Sequence, residues 1–348
     1  MIKNRLLAVW VAAMYCLSAE AFSQDASWYK YFTGTIDKYP VTLHLYKSGN
    51  NYEGFYYYNS RGEPIELGNG KLNSGKLALP AYTTPGEESF EGILTNNSFI
   101  GSWKSGKKVL PFTLALTQVQ PSFDYIFVTG NRKIKKKEAY DREELTYTAS
   151  SIWPQKGPPD SLTYFLKKII RREFDTKEDT AAIGNILLRK KKEFLYPAKR
   201  GDEYEVNESL RVAYQNKNLL SLSHFIYTDM GGAHGIYGTS YFCFDWPNKR
   251  QLNLGDIIDT LTIRPFIPGI LEKYFRKKYA LDEKQALNET LLVEQIPMTD
   301  NVLITSKGIG FNYAPYEIGP FAMGDILIFV PYKEFEGFLK PSFKKLLQ

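Results

Sequence analysis

From Trp28 to about Leu116 apolar and polar residues alternate in short runs: Val41-Thr42-Leu43-His44-Leu45, Tyr52 to Tyr58, Lys76-Leu77-Ala78-Leu79, Phe90 to Leu94, Phe99 to Trp103 and Leu110 to Leu116. A period of two places alternate side chains on opposite faces of a strand. Turn-forming Ser48-Gly49-Asn50, Arg61-Gly62 and Asn73-Ser74-Gly75 separate the runs. The pattern predicts about eight strands in an antiparallel meander, curled or closed into a small barrel. Such a barrel can hold a ligand if hollow, or serve as a structural module if filled.

After Pro121 the period changes. Ser161 to Phe174 sets Leu162, Phe165, Leu166, Ile169 and Ile170 on one helical face, with Asp160 or Ser161 as the cap. Further helices are predicted over Thr180–Tyr196 and Ile263–Tyr279, the latter with Pro265 and Pro268 at or just before its first turn. Strand-like runs alternate with them: Leu219–Tyr227, Tyr237–Trp246, Val302–Thr305, Gly308–Tyr313 and Ile326–Val330. The expected class is α+β, a β meander or barrel followed by helices packed on an antiparallel sheet. The division is 1–23 as a signal peptide, 24–119 as the β domain, and 120–348 as the α+β domain in two segments, 120–222 and 223–348.

The N-terminus carries the signal. Lys3 and Arg5 precede a mostly apolar stretch, Leu6 to Leu17, and Ser18-Ala19-Glu20-Ala21 or Ala21-Phe22-Ser23 offers a cleavage site. Tyr15 before Cys16 does not suit lipidation. No later stretch is apolar for the roughly 20 residues that a membrane helix needs. A periplasmic or secreted protein is expected, without a membrane span after cleavage. Cleavage leaves Cys243 as the one cysteine, flanked by aromatics in Tyr241-Phe242-Cys243-Phe244-Asp245, where a buried inert thiol is expected. Three His and two Cys in 348 residues exclude a zinc-finger array or disulfide scaffold, and neither a metal nor a cofactor is expected.

Charge refines the picture. Of the chain's net +6, residues 120–200 carry 18 Lys/Arg against 11 Asp/Glu. Lys167, Lys168, Arg171 and Arg172 share the polar face of the first helix, either as a solvated surface or as a site for a polyanion. Export makes an acidic envelope glycan or lipid head group the relevant polyanion, and no nucleic acid is expected. Two loops stand out. Gly231-Gly232-Ala233-His234-Gly235 allows unusual backbone geometry around His234. Ala314-Pro315-Tyr316-Glu317-Ile318-Gly319-Pro320 makes a rigid loop in which Glu317 either pins the backbone or serves as an acid/base. No phosphate-cradling glycine loop, nucleophile elbow or His-Glu-x-x-His motif occurs in the chain.

Taken in order, Gly231-Gly232-Ala233-His234-Gly235, Phe244-Asp245, Leu252-Asn253-Leu254-Gly255-Asp256-Ile257, Gly308-Ile309-Gly310-Phe311, Pro315 to Pro320 and Val330-Pro331-Tyr332 resemble a bacterial extracytoplasmic domain family of unknown function. That family is similar to the outer domain of lysozyme-sensing anti-sigma factors of the RsiV type and to accessory domains of some peptidoglycan deacetylases. Asp124 to Leu222 resembles the companion domain that precedes it, and no family resemblance is assigned to the β domain. The resemblance implies binding or sensing, not catalysis, with His234, Tyr316 and Glu317 as candidate ligand contacts beside the four basic helix residues. Lysozyme is itself basic, and a chain of pI about 8.9 is a poor partner for it unless a local acidic patch overrides the field. The leading expectation is a non-enzymatic envelope protein that binds peptidoglycan or another acidic glycan, with Tyr56, Tyr58 and Trp103 as possible sugar-stacking rings. The alternatives are a wall hydrolase using Glu317 and His234, and a protein-interaction module that takes a secreted partner.

Overall fold

The computed structural model describes residues 27–83, 86–135, 142–155, 160–174, 181–197 and 201–347. The export signal expected over residues 1–23 lies outside them.

Eight antiparallel strands form a closed barrel: β1 (Trp28–Ile36), β2 (Tyr39–Ser48), β3 (Asn51–Tyr58), β4 (Ile65–Asn73), β5 (Lys76–Thr83), β6 (Gly86–Leu94), β7 (Ser98–Ser105) and β8 (Lys108–Leu116). Each strand pairs with the next, and β1 closes on β8 from Phe32↔Leu116 to Ile36↔Phe112. Gly34 is required at that seam, because a Cβ there would stand 2.0 Å from the Thr113 carbonyl oxygen. The interior is filled. Phe32, Leu43, Tyr56, Phe90, Phe99 and Leu114 are fully buried, and Phe90, Phe99 and Phe112 pack ring to ring at 4.7–6.4 Å. Tyr56 and Trp103 belong to this core and offer no free face for stacking on a sugar, and Tyr58 packs edge-on against Tyr56.

The second part is built on a six-stranded sheet in the order β14-β13-β12-β11-β10-β9. These are β9 (Phe123–Lys133), β10 (Glu144–Pro154), β11 (Glu205–Gln215), β12 (Leu219–Asp229), β13 (Ile236–Asp245) and β14 (Arg250–Leu252). The sheet is mixed, because β10 and β11 run parallel. Between them come helices α1 (Asp160–Glu173) and α2 (Ile183–Leu195). Leu162, Leu166, Ile169 and Ile170 of α1 and Ile183, Ile186 and Leu187 of α2 bury against Val128, Tyr147, Ala149, Leu210 and Leu222 of the sheet.

A three-stranded sheet, β15 (Val302–Ile304), β16 (Gly308–Tyr313) and β17 (Ile326–Pro331), forms another core with α3 (Ile267–Tyr279). That helix begins later than its periodicity suggested. Thr260–Ile263 makes a separate turn capped by Asp259, and Pro268 occupies the first turn of α3. Cys243 is buried in this core, its thiol donating to the Val302 carbonyl at 3.2 Å and pushed up to about 11 by desolvation.

Barrel and sheets share cores. Phe55 and Tyr57, on the outside of β3, join the core of the three-stranded sheet. Tyr46 of β2 enters the helix-covered core, where a bulge between Val212 and Tyr214 interrupts β11. Its hydroxyl accepts from Val212 N at 3.0 Å and donates to Val212 O at 3.2 Å.

Candidate functional site

Alternate residues on β9 to β13 point away from the helices, and the register aligns them in rows. One row is Thr129, Thr148, Asn207 and Tyr227, with Tyr237 next to it on β13. The next is Phe127, Ser150, Ser209, Phe225 and Thr239. A third begins at Arg211 and continues through Ser223 to Tyr241. Small hydroxyl and amide side chains thus floor this face, with aromatic rings at its margins. The outer wall of the barrel overhangs it through Ser48 to Phe55, Pro64, Glu66 and Asn69, enclosing a cleft of about 830 Å³. Its size suits a small or extended ligand, since such pockets span roughly 300–1,000 Å³.

Three charged side chains line the cleft: Glu53, Glu66 and Arg211. The Arg211 guanidinium forms a close ion pair with Glu53 and lies 5.2 Å over the Tyr46 ring. Glu66 sits opposite Phe55 across β3 and β4, which sets it diagonal to Glu53 on the outer face of the barrel. It is open to cleft water yet walled in by protein, and this enclosure pushes its carboxyl up to about 7, with Arg211 opposing the shift and Glu53 adding to it.

The sequence-derived candidates lie elsewhere. His234 and Tyr316, distant in the chain, meet with Nε2 3.1 Å from the phenol oxygen. The His234 ring stacks on Phe321 at 3.9 Å, and its Nδ1 lies 2.9 Å from the Gly235 carbonyl. Both ring nitrogens are therefore engaged without Glu317, whose carboxylate accepts from Ala314 N at 2.9 Å and pins the loop. Tyr316 is held at φ 71°, an uncommon conformation for a residue with a Cβ. The glycines before it in the chain have separate reasons: Gly231 adopts φ 83°, and a Cβ on Gly235 would stand 2.5 Å from the Tyr227 ring. Aromatic contacts run from Phe225 in the cleft through Tyr237 and Phe321 to His234, at 6.0, 5.3 and 3.9 Å.

The basic helix residues are separate from that loop. Lys167 and Arg171 flank the Trp153 ring at 5.4 and 5.3 Å, and Arg171 also donates to the Ala181 carbonyl, tying α1 to the start of α2. Arg172 pairs with Glu173, and Lys168 is exposed. Below them lies a buried charge cluster that motif reading missed. His224 Nε2 is 3.0 Å from Glu208, which also takes Lys190 at 3.0 Å, and His224 Nδ1 is 3.8 Å from Glu173. Burial opposes charge there, but the paired groups prevail: His224 is raised, and Glu173 and Glu208 are lowered. Among the described residues no group of three or more His, Cys, Asp or Glu is arranged to hold a metal ion. No helix among them is long and apolar enough to cross a membrane.

Residues 257–333 match the family model DUF3298, a protein of unknown function. They contain α3, the three-stranded sheet and the Glu317 loop. Of the cleft lining, only Leu303 falls within the matched residues. The chain is similar to the crystal structure of a DUF3298 family member from Bacteroides fragilis NCTC 9343, at 23% identity over 66% of this chain and 99% of that one, with a TM-score of 0.53. A DUF3298 family protein from Pseudomonas aeruginosa PAO1 is 16% identical over 63% of this chain and 95% of that one, with a TM-score of 0.46. At these identities the likeness concerns the fold alone. No curated protein matches the chain.

Proposed function

We propose that this is an exported, non-enzymatic envelope protein that binds a glycan, peptidoglycan being the leading candidate, in the cleft between barrel and sheet. The observation that carries the reading is the floor of that cleft: rows of Ser, Thr and Asn side chains bordered by Phe127, Phe225 and Tyr241. Hydroxyls and amides both donate and accept, which suits a ligand made of hydroxyls, and aromatic rings offer apolar faces to sugar C–H groups. Export is supported by Lys3, Arg5 and the apolar stretch Leu6–Leu17. The resemblance to accessory domains of wall-modifying enzymes points the same way. Arg211 is neutralised by Glu53, Arg172 by Glu173, and Arg171 is committed to Ala181, so the binding assigned here relies on polar and stacking contacts more than on a cationic surface.

The test is co-sedimentation of the mature protein with isolated peptidoglycan sacculi at low and moderate salt, with soluble fragments measured in parallel. Wild type is expected in the pellet at both salts without fragment release, and the Phe225→Ala/Tyr241→Ala double variant largely in the supernatant. Equal pelleting of the variant would refute the cleft as the site. Fragment release would favour a hydrolase, and absence from the pellet at either salt would refute wall binding. A second reading, docking of a secreted protein, is favoured by the exposure of Met230, Ile236 and Tyr316 in the two segments that the His234–Tyr316 hydrogen bond joins. It predicts that Tyr316→Ala abolishes partner binding while leaving sacculus binding intact.

A further inference from the structure

The cleft is unbalanced in charge. Arg211 is the one cation among its lining residues, and it is bonded to Glu53. Lys278 of α3 contributes a positive field, but its ammonium is held 2.7 Å from the Leu327 carbonyl. Glu66 shares the cleft with Arg211, Glu53 and Tyr241, and among the described residues it makes neither a hydrogen bond nor an ion pair. The carboxylate is exposed to the cleft and bonded to no cation, so it is free to take an incoming one. The aromatic margins add to the preference, since the faces of Phe and Tyr rings attract cations.

Resting on the glycan reading above, we propose that the cleft selects a sugar bearing a free primary amine, with Glu66 as the counter-ion of its ammonium group. The Ser, Thr and Asn rows would then contact the hydroxyls of the same and adjoining sugars. A neutral N-acetylated sugar would satisfy those rows yet leave Glu66 without a partner. An acidic sugar would be repelled by it.

The experiment is isothermal titration of the full mature protein with a chitosan hexamer, whose amines are free, and with the fully N-acetylated hexamer, at neutral pH and low salt. The free-amine hexamer is expected to bind about 10-fold more tightly, which is about 1.4 kcal/mol. Glu66→Gln should remove that preference while retaining the affinity for the N-acetylated hexamer, a binding readout that also confirms folding. Glu283→Gln, which removes an equal charge from an exposed position outside the cleft, should keep the preference. Equal affinity of wild type for both hexamers, or a preference that survives Glu66→Gln, would overturn the amine assignment and leave the glycan reading standing. Failure of wild type to bind either hexamer, together with absence from the sacculus pellet, would overturn both.

Discussion

Tyr46 provides the sharpest test of how the barrel is held on the sheet. Phenylalanine at this position keeps the ring, with its stack on Tyr29 at 4.8 Å, its edge contact with Tyr125 at 4.9 Å and its place under Arg211. Only the hydroxyl is lost, and with it both hydrogen bonds to Val212. Val212 is fully buried at the bulge of β11, so its freed N–H and C=O gain no water in exchange. A typical hydrogen bond contributes about 1 kcal/mol net, and a stranded buried group costs about 1–3 kcal/mol. Tyr46→Phe should therefore destabilise the protein by about 2 kcal/mol. With a urea slope of about 2 kcal/mol/M, the midpoint falls by about 1 M. Tyr82→Phe is the control, because its hydroxyl meets Asn69 at an exposed position and its loss should cost less than about 0.5 kcal/mol. Hydrogen exchange on a β11 peptide should show faster exchange at the Val212 amide in Tyr46→Phe alone. A midpoint shift no larger than that of Tyr82→Phe, with the Val212 amide still protected, would refute this account of the docking.

Three further outcomes follow from buried titratable groups. His44 is enclosed in β2, 2.9 Å from the Tyr29 hydroxyl, and desolvation lowers it from 6.5 to about 3. The folded state thus binds fewer protons than the unfolded one in that window, so His44 should reduce stability as pH falls from 6.5 towards 3, by at most about 1.4 kcal/mol per pH unit. His224 has the opposite sign: raised by Glu173 and Glu208, its contribution is complete below 6.5 and is lost as pH rises through its folded value. Urea midpoints measured against pH should lose the acid slope in His44→Gln and the decline above 6.5 in His224→Gln; unchanged slopes would contradict these assignments. Cys243, with its thiol raised to about 11 inside the core, should resist iodoacetamide in the native protein and react fully in urea, as mass spectrometry would record.

The barrel was legible because its strands alternate strongly: a filled interior and a wet exterior impose different residues at neighbouring positions. The helices were legible for the same reason at a longer period, as Leu162, Leu166, Ile169 and Ile170 illustrate. Strands β9, β10 and β11 were not recognised, and with them the cleft floor went unseen. Their cleft face bears Thr129, Thr148, Ser150, Asn207 and Ser209, small polar residues whose contrast with the other face is weak. On β11 the opposite face carries Glu208, polar yet buried, which blurs the alternation further. The parallel pairing of β10 and β11 was equally hidden, because alternation reports which face is buried and not which neighbour is chosen. The two glycine-rich loops were conspicuous as text, but the meeting of His234 with Tyr316 depends on how β12, β13 and the three-stranded sheet are arranged. Glu66 carried no signal in Pro64-Ile65-Glu66-Leu67, an ordinary strand beginning, and only the overhanging barrel wall makes it distinctive.

The single parallel pair has an evolutionary consequence. Neighbouring parallel strands need a crossover, and here α1 and α2 form it and pack on the same face of the sheet. Each strand is therefore two interleaved messages, one set of alternate positions answering to the cleft and the other to the helices. Mutations on the helical side can accumulate, lengthen or repack the crossover without rewriting a residue that a ligand would touch. Specificity on the other side can drift through substitutions among Ser, Thr, Asn and their neighbours with little demand on the core. A scaffold so partitioned allows ligand choice to diversify while the architecture stays fixed.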